Sequence, residues 1–207
     1  MQRRKFTIGL LTTAGLYGAG STSAQAASLL GSLSDGDAAS GIRAALTRGA
    51  ESAVGLLGKT DGFLGNPKVR IPLPGALKKA SKLLKATGQG DAVKDLITAM
   101  NRAAEAAVPQ AKELLLGAVK TMSVDDGRKI LSGGDQSVTD FFSAKTRESL
   151  GVRFLPIVTQ ATEKVALADK YNAVAGKAAG VGLIDKKDAN VQEYVTAKAL
   201  DGLYFMI

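Results

Sequence analysis

The stretch Asp91–Ala107, DAVKDLITAMNRAAEAA, decides the fold class. Val93, Ile97, Met100 and Ala104 recur at three- and four-residue spacing, which places them on one face of an α-helix. Pro109 either kinks this helix or opens a new one in its first turn. The apolar face then continues through Leu115, Ala118 and Met122. Upstream, Ile42, Leu46, Ala50, Ala53 and Leu57 form a second helical face, capped by Ser34 or Asp37.

The rest of the chain reads the same way. A short helix is expected over Gly75–Ala86, closed by Gly88 and Gly90. Ser123-Val-Asp-Asp126 resembles a capping box with Asp in place of Glu, and its helix stops at Gly133-Gly134. Asp135 or Ser137 caps a helix bearing Val138, Phe141 and Phe142. Another is expected to begin near Arg153, with Leu155, Val158, Thr162 and Val165 on one side. It runs through Tyr171 to breaks near Gly176 and Gly180. Asn190 and Glu193 frame a last helix that aligns Val191, Val195, Ala199, Gly202 and Met206. No segment alternates with period two over a useful length. The expected fold is therefore all-α: one compact, bundle-like domain of about eight helices over residues 38–207.

Composition narrows the chemistry. The 207 residues include no His, Cys or Trp. That excludes Ser-His-Asp and Cys-His nucleophile pairs, thiolate or imidazole metal sites, and disulfides. Aromatics make up only 5 %, so the core is expected to consist largely of Ala, Leu, Val and Ile.

Residues 1–26 have the layout of an export signal. Arg3, Arg4 and Lys5 precede an uncharged stretch from Phe6 to Gly20, and Ala24-Gln25-Ala26 offers a small-x-small cleavage site. Four Gly and three Thr make that stretch too short and too polar to span a bilayer. Arg3-Arg4 followed by Lys5-Phe6 resembles a twin-arginine signal, and general secretion is the alternative. Cleavage would leave residues 27–207, with a linker over 27–37. The product has 24 basic against 19 acidic residues, a mildly basic periplasmic or outer-membrane-associated protein.

The least ordinary segment is TDGFLGNPKVRIPLP, Thr60–Pro74. Pro67, Pro72 and Pro74 favour an extended path, yet Phe63, Leu64, Val69, Ile71 and Leu73 are apolar. Such a loop either lies over its own core or contacts lipid or another subunit. Between Asp61 and Asp91 stand six cations and no acid: Lys68, Arg70, Lys78, Lys79, Lys82 and Lys85. The four lysines of the Gly75–Ala86 helix share about a third of its circumference. A solvated face is one reading. An anionic membrane surface is the other, and these eleven residues, with the apolar end Leu203–Ile207, are its candidate contacts. Nucleic acid fits poorly, because no aromatics are interleaved for stacking.

The carboxylates suggest no metal site. Asp185, Asp188, Asn190 and Glu193 lack calcium-loop spacing, and Asp125-Asp126 suits a helix start. Arg102 and Glu105 are placed to pair along one helix, and Asp201 has Lys198 within reach. No catalytic residue, cofactor or metal is expected. The competing reading is a soluble periplasmic carboxylate enzyme or small-ligand binder using Asp61, Glu105 or Asp201.

Four strings carry a family resemblance: GKTDGFLGNPKVRIPLP (Gly58–Pro74), MNRAAEAAVPQAK (Met100–Lys112), FLPIV (Phe154–Val158) and YVTAKALDGLYFMI (Tyr194–Ile207). They resemble a family of secreted helical Gram-negative envelope proteins catalogued as a domain of unknown function. The resemblance implies an all-helical envelope protein without assigned catalysis, similar to ring-like oligomers that hold lipid at the outer membrane. It also implies a charged tail beyond the LDGL stretch, so a C-terminus longer than Ile207 is expected. The functional expectation is a non-enzymatic homo-oligomer that binds lipid or the membrane surface.

Overall fold

The computed structural model describes residues 35–163, 165–180 and 189–207. The expected signal segment, Asp185 and Asp188 lie outside them. Every regular element among the described residues is helical.

Helix α1 (Asp35–Leu57) starts inside the expected linker and buries Leu46, Ala50, Ala53 and Leu57. A loop leads to α2 (Gly75–Ala86) and α3 (Gly90–Ala107). Pro109 does not kink α3. It opens a 3₁₀ turn, Val108–Ala111, which hands the chain to α4 (Lys112–Lys120). Helix α5 (Val124–Ser132) begins with a full capping box. Ser123 Oγ accepts from the Asp126 amide at 3.0 Å, and Asp126 Oδ2 accepts from the Ser123 amide at 3.1 Å.

Two helices expected on either side of Arg153 are one. Helix α6 runs unbroken from Ser137 to Thr162, through Gly151 and Pro156. Its buried row is Phe142, Thr146, Leu150, Phe154, Val158 and Thr162, one residue in every four. At about 100° per residue, each step of four turns the row by roughly 40°. The buried stripe thus winds around the helix as its partners change, and no fixed face survives its whole length. Thr146 and Thr162 satisfy their buried hydroxyls on the Phe142 and Val158 carbonyls, at 2.7 and 2.8 Å. Pro156 cannot donate to the Val152 carbonyl, but Val152 lies on the solvent side, 73 % exposed.

The chain turns at Thr162 and starts α7 (Ala166–Gly180), which passes Gly176 without the expected break. Asn190 caps α8 (Val191–Met206), its side-chain oxygen accepting from the Gln192 and Glu193 amides at 2.8 and 3.2 Å. Helix α6 packs along both α3 and α8, while α1 packs on α4 and α5. Phe142, Phe154, Leu96, Met100, Leu150 and Leu203 fill the centre. No described helix is long and apolar enough to cross a membrane.

Two outcomes follow from this packing. Phe154→Ala, at a site with no exposure, lowers unfolding free energy by about 3–5 kcal/mol in urea titration. The capping box gives a pH signature. The Ser123 amide, then its hydroxyl, holds the Asp126 carboxyl below its ordinary value. Folded protein therefore binds that proton less readily than unfolded chain. The stabilisation is complete above the ordinary Asp range and fades as pH falls through the lowered folded value. Accordingly, Asp126→Ala weakens the protein at neutral pH, and its deficit against the parent closes in acid.

Candidate functional site

The long loop between α1 and α2 is held from below by α3. Asn101, fully buried, meets Ile71 as a neighbouring strand would: its Oδ1 accepts from the Ile71 amide at 2.8 Å, and its Nδ2 donates to the Ile71 carbonyl at 3.0 Å. The same Nδ2 donates to the Ile97 carbonyl at 2.8 Å. One turn on, Glu105 is 4 % exposed. Its Oε1 accepts from the Phe63 and Leu64 amides, both at 3.0 Å. Its Oε2 accepts from Arg102 Nη1 at 2.6 Å, and Arg102 Nη2 reaches Asp61 Oδ1 at 2.9 Å. Glu105 first, then Asp61, raises the Arg102 guanidinium above its ordinary value.

Helix α8 closes the other side. The Tyr194 hydroxyl donates to the Pro72 carbonyl at 3.1 Å. Gly202 lies under Phe63, where a Cβ would come within 2.8 Å of the Phe63 ring. Gly62 is needed for a similar reason, since a Cβ there would collide with the Leu57 carbonyl. Asp61 beside it takes φ 64°, a left-handed conformation that Asp tolerates better than most residues. Three of the four strings that carry the resemblance therefore meet at this one place.

The clamp holds the loop over the protein's own core, the first of the two alternatives that its sequence leaves open. Phe63, Val69, Ile71 and Leu73 are buried in the protein's own core, and Leu64 is half-buried. The apolar candidates are thus packed inward and do not form a lipid-facing surface in this conformation. From Lys68 to Leu73 exposure alternates strictly: Lys68, Arg70 and Pro72 face out, while Val69, Ile71 and Leu73 face in. The chain does alternate with period two, for six residues, with Asn101 standing in for a strand partner.

The basic candidates have the opposite fate. Lys68, Arg70, Lys78, Lys82 and Lys85 are exposed, and among the described residues none lies within ion-pairing distance of a carboxylate. Lys79 lies outside the described side chains. By contrast Lys94, Arg102, Lys112, Arg147 and Lys198 all pair with carboxylates. Among the described side chains of α2, Leu77 is buried, and the helix packs on α3.

The carboxylates of the competing reading are engaged in holding structure. Asp61 and Glu105 share Arg102, and Asp201 is exposed and joined to Arg147 at 2.5 Å and Lys198 at 3.4 Å. No cluster of three metal-ligating carboxylates occurs among the described residues. Beside Asp201, Lys68, Arg70, Pro72, Lys198 and Phe205 surround a shallow depression of about 290 Å³. Phe205 is 63 % exposed. Asn101 and Tyr194 were not legible as site residues, whereas Phe205 falls within the apolar end Leu203–Ile207 expected to contact lipid. The available signal was Asn101 and Glu105, two polar residues four apart beside the apolar positions of α3.

The model of the family described as protein of unknown function (DUF4197) matches residues 32–207. No curated protein and no solved structure matches the chain.

The clamp predicts a stability defect. Glu105→Ala strands two loop amides and Arg102, and lowers unfolding free energy by about 3–5 kcal/mol in urea titration. A loss below about 1 kcal/mol would mean that the loop is held mainly by its apolar side chains.

Proposed function

The chain belongs to the DUF4197 family, and from that premise we propose an exported, non-enzymatic envelope protein that self-associates and binds anionic lipid surfaces. The observation that carries this reading is the set of exposed cations between Asp61 and Asp91 that have no carboxylate partner among the described residues. A cation that serves stability is normally near an acid. These are left open on a loop and helix that the core holds in place.

Magnitude fixes the kind of binding. Each Lys or Arg near anionic headgroups contributes about 1 kcal/mol, so five contribute roughly 5 kcal/mol. That corresponds to an affinity somewhat tighter than millimolar, reversible and sensitive to salt. Leu77 packs into the core and the loop's apolar side chains are buried. Binding in this conformation is therefore electrostatic and peripheral. Burial of acyl chains by the loop is no part of it.

Self-association is supported by a different face. Val152, 73 % exposed, and Leu155, 38 % exposed, border an apolar groove between α6 and α8. Its rim carries Arg147 with Glu148 and Glu193, the mixture of signs that a self-complementary two-fold contact uses. Residues 1–26 supply the export signal in this reading.

The test is sedimentation with phosphatidylcholine vesicles, with and without phosphatidylglycerol. The triple reversal Lys78→Glu, Lys82→Glu and Lys85→Glu is expected to reduce phosphatidylglycerol-dependent binding by at least about 100-fold, since loss of the three attractions alone costs about 3 kcal/mol before the added repulsion. Binding unchanged by the reversal, or equal on both vesicle types, overturns the proposal.

A further inference from the structure

We propose that the depression between the clamped loop and α8 is a discrete site for the phosphate-bearing headgroup of an anionic phospholipid. The inference rests on the lipid-surface reading above and adds to it a defined point of recognition. Alternation along Lys68–Leu73 sets Lys68 and Arg70 side by side on the outer side of the loop, and both line this depression. Neither has a carboxylate partner among the described residues. The single acid on the rim, Asp201, is already joined to Arg147 and Lys198, so it leaves those two charges uncompensated.

The backbone beneath them is fixed. Asn101 holds Ile71 through both its amide and its carbonyl, and the Val69 and Arg70 amides both bond to the Asn66 carbonyl, at 3.2 and 2.9 Å. An arginine and a lysine on a rigid segment, free of competing acids, suit a phosphodiester. The guanidinium can take two oxygens in one plane while the ammonium meets the charge. Opposite them, Phe205 is 63 % exposed beside the buried floor of Val69 and Ile71. A purely ionic site has no use for an exposed phenyl ring. A headgroup site at a membrane has one, because the ring can enter the boundary between headgroups and acyl chains. At about 290 Å³ the depression suits a headgroup and leaves the acyl chains in the bilayer.

The experiment is amide NMR on the isotope-labelled chain, titrated with short-chain dihexanoyl phosphatidylglycerol and, in parallel, with inorganic phosphate. The proposal expects the lipid to shift the Val69, Arg70, Gly202 and Phe205 amides, with phosphate far weaker at equal concentration. Lys68→Gln with Arg70→Gln, both exposed and outside the clamp, is expected to weaken the lipid titration by tenfold or more, about 1.4 kcal/mol. Phe205→Ser is expected to weaken the lipid response and leave the phosphate response unchanged. Equal shifts from inorganic phosphate overturn the lipid assignment in favour of a free-anion site. Shifts confined to Lys78–Lys85 overturn the discrete site and leave the basic-helix reading standing. No shift in either titration, with no binding to anionic vesicles, overturns both.

Discussion

The architecture around the loop depends on one exchange between a buried carboxylate and unpaired backbone. A segment packed on a core without helix or sheet must find partners for its amides, because an unsatisfied buried donor costs about 1–3 kcal/mol. A buried carboxylate must find donors, because isolated charge is far more costly to desolvate. Glu105 and the Phe63–Leu64 amides solve both problems together, and Arg102 supplies the remaining charge balance. Asn101 does the same for Ile71 with neutral groups. With the backbone settled, Phe63, Val69 and Ile71 can bury their side chains, and Lys68 and Arg70 are obliged to face water.

How legible this was depends on how local the cause is. Helix class followed from spacing within α3, and the box at Ser123 followed from residues three apart. Both are short-range effects, and both hold. Helix α6 failed the same reasoning because its buried row advances by four and winds around the axis. Gly151 and Pro156 then resemble an interruption, although Pro156 falls where its missing donor is least costly. The loop's hydrogen-bonding partners were hidden for a tertiary reason. Its six-residue alternation contains Pro72 and is flanked by Pro67 and Pro74, which argue against a paired strand, and its hydrogen-bonding partner is a side chain some thirty residues away. That its apolar residues turn inward was one of the two readings the sequence left open; the groups that hold its backbone there were not legible.

The consequence for function is a separation of roles along one segment. Apolar residues that suggested lipid contact fix the loop, and the cations between them are displayed by it. The pattern differs from a free amphipathic helix, which folds on the membrane and inserts its apolar face. Here the apolar face of the segment is already committed, so under the proposed function recognition of a lipid surface would fall to charge and to Phe205. A held array of cations loses little conformational freedom on binding, which favours a modest electrostatic site.

Native-state hydrogen exchange at the Phe63, Leu64 and Ile71 amides tests the clamp most directly. The account predicts protection close to that of the core amides of α3 and α6, since these loop donors open only when the domain does. Exchange as fast as in the exposed turns would contradict it. The loop would then open on its own, and the fixed array of cations on which the functional reading rests would not exist.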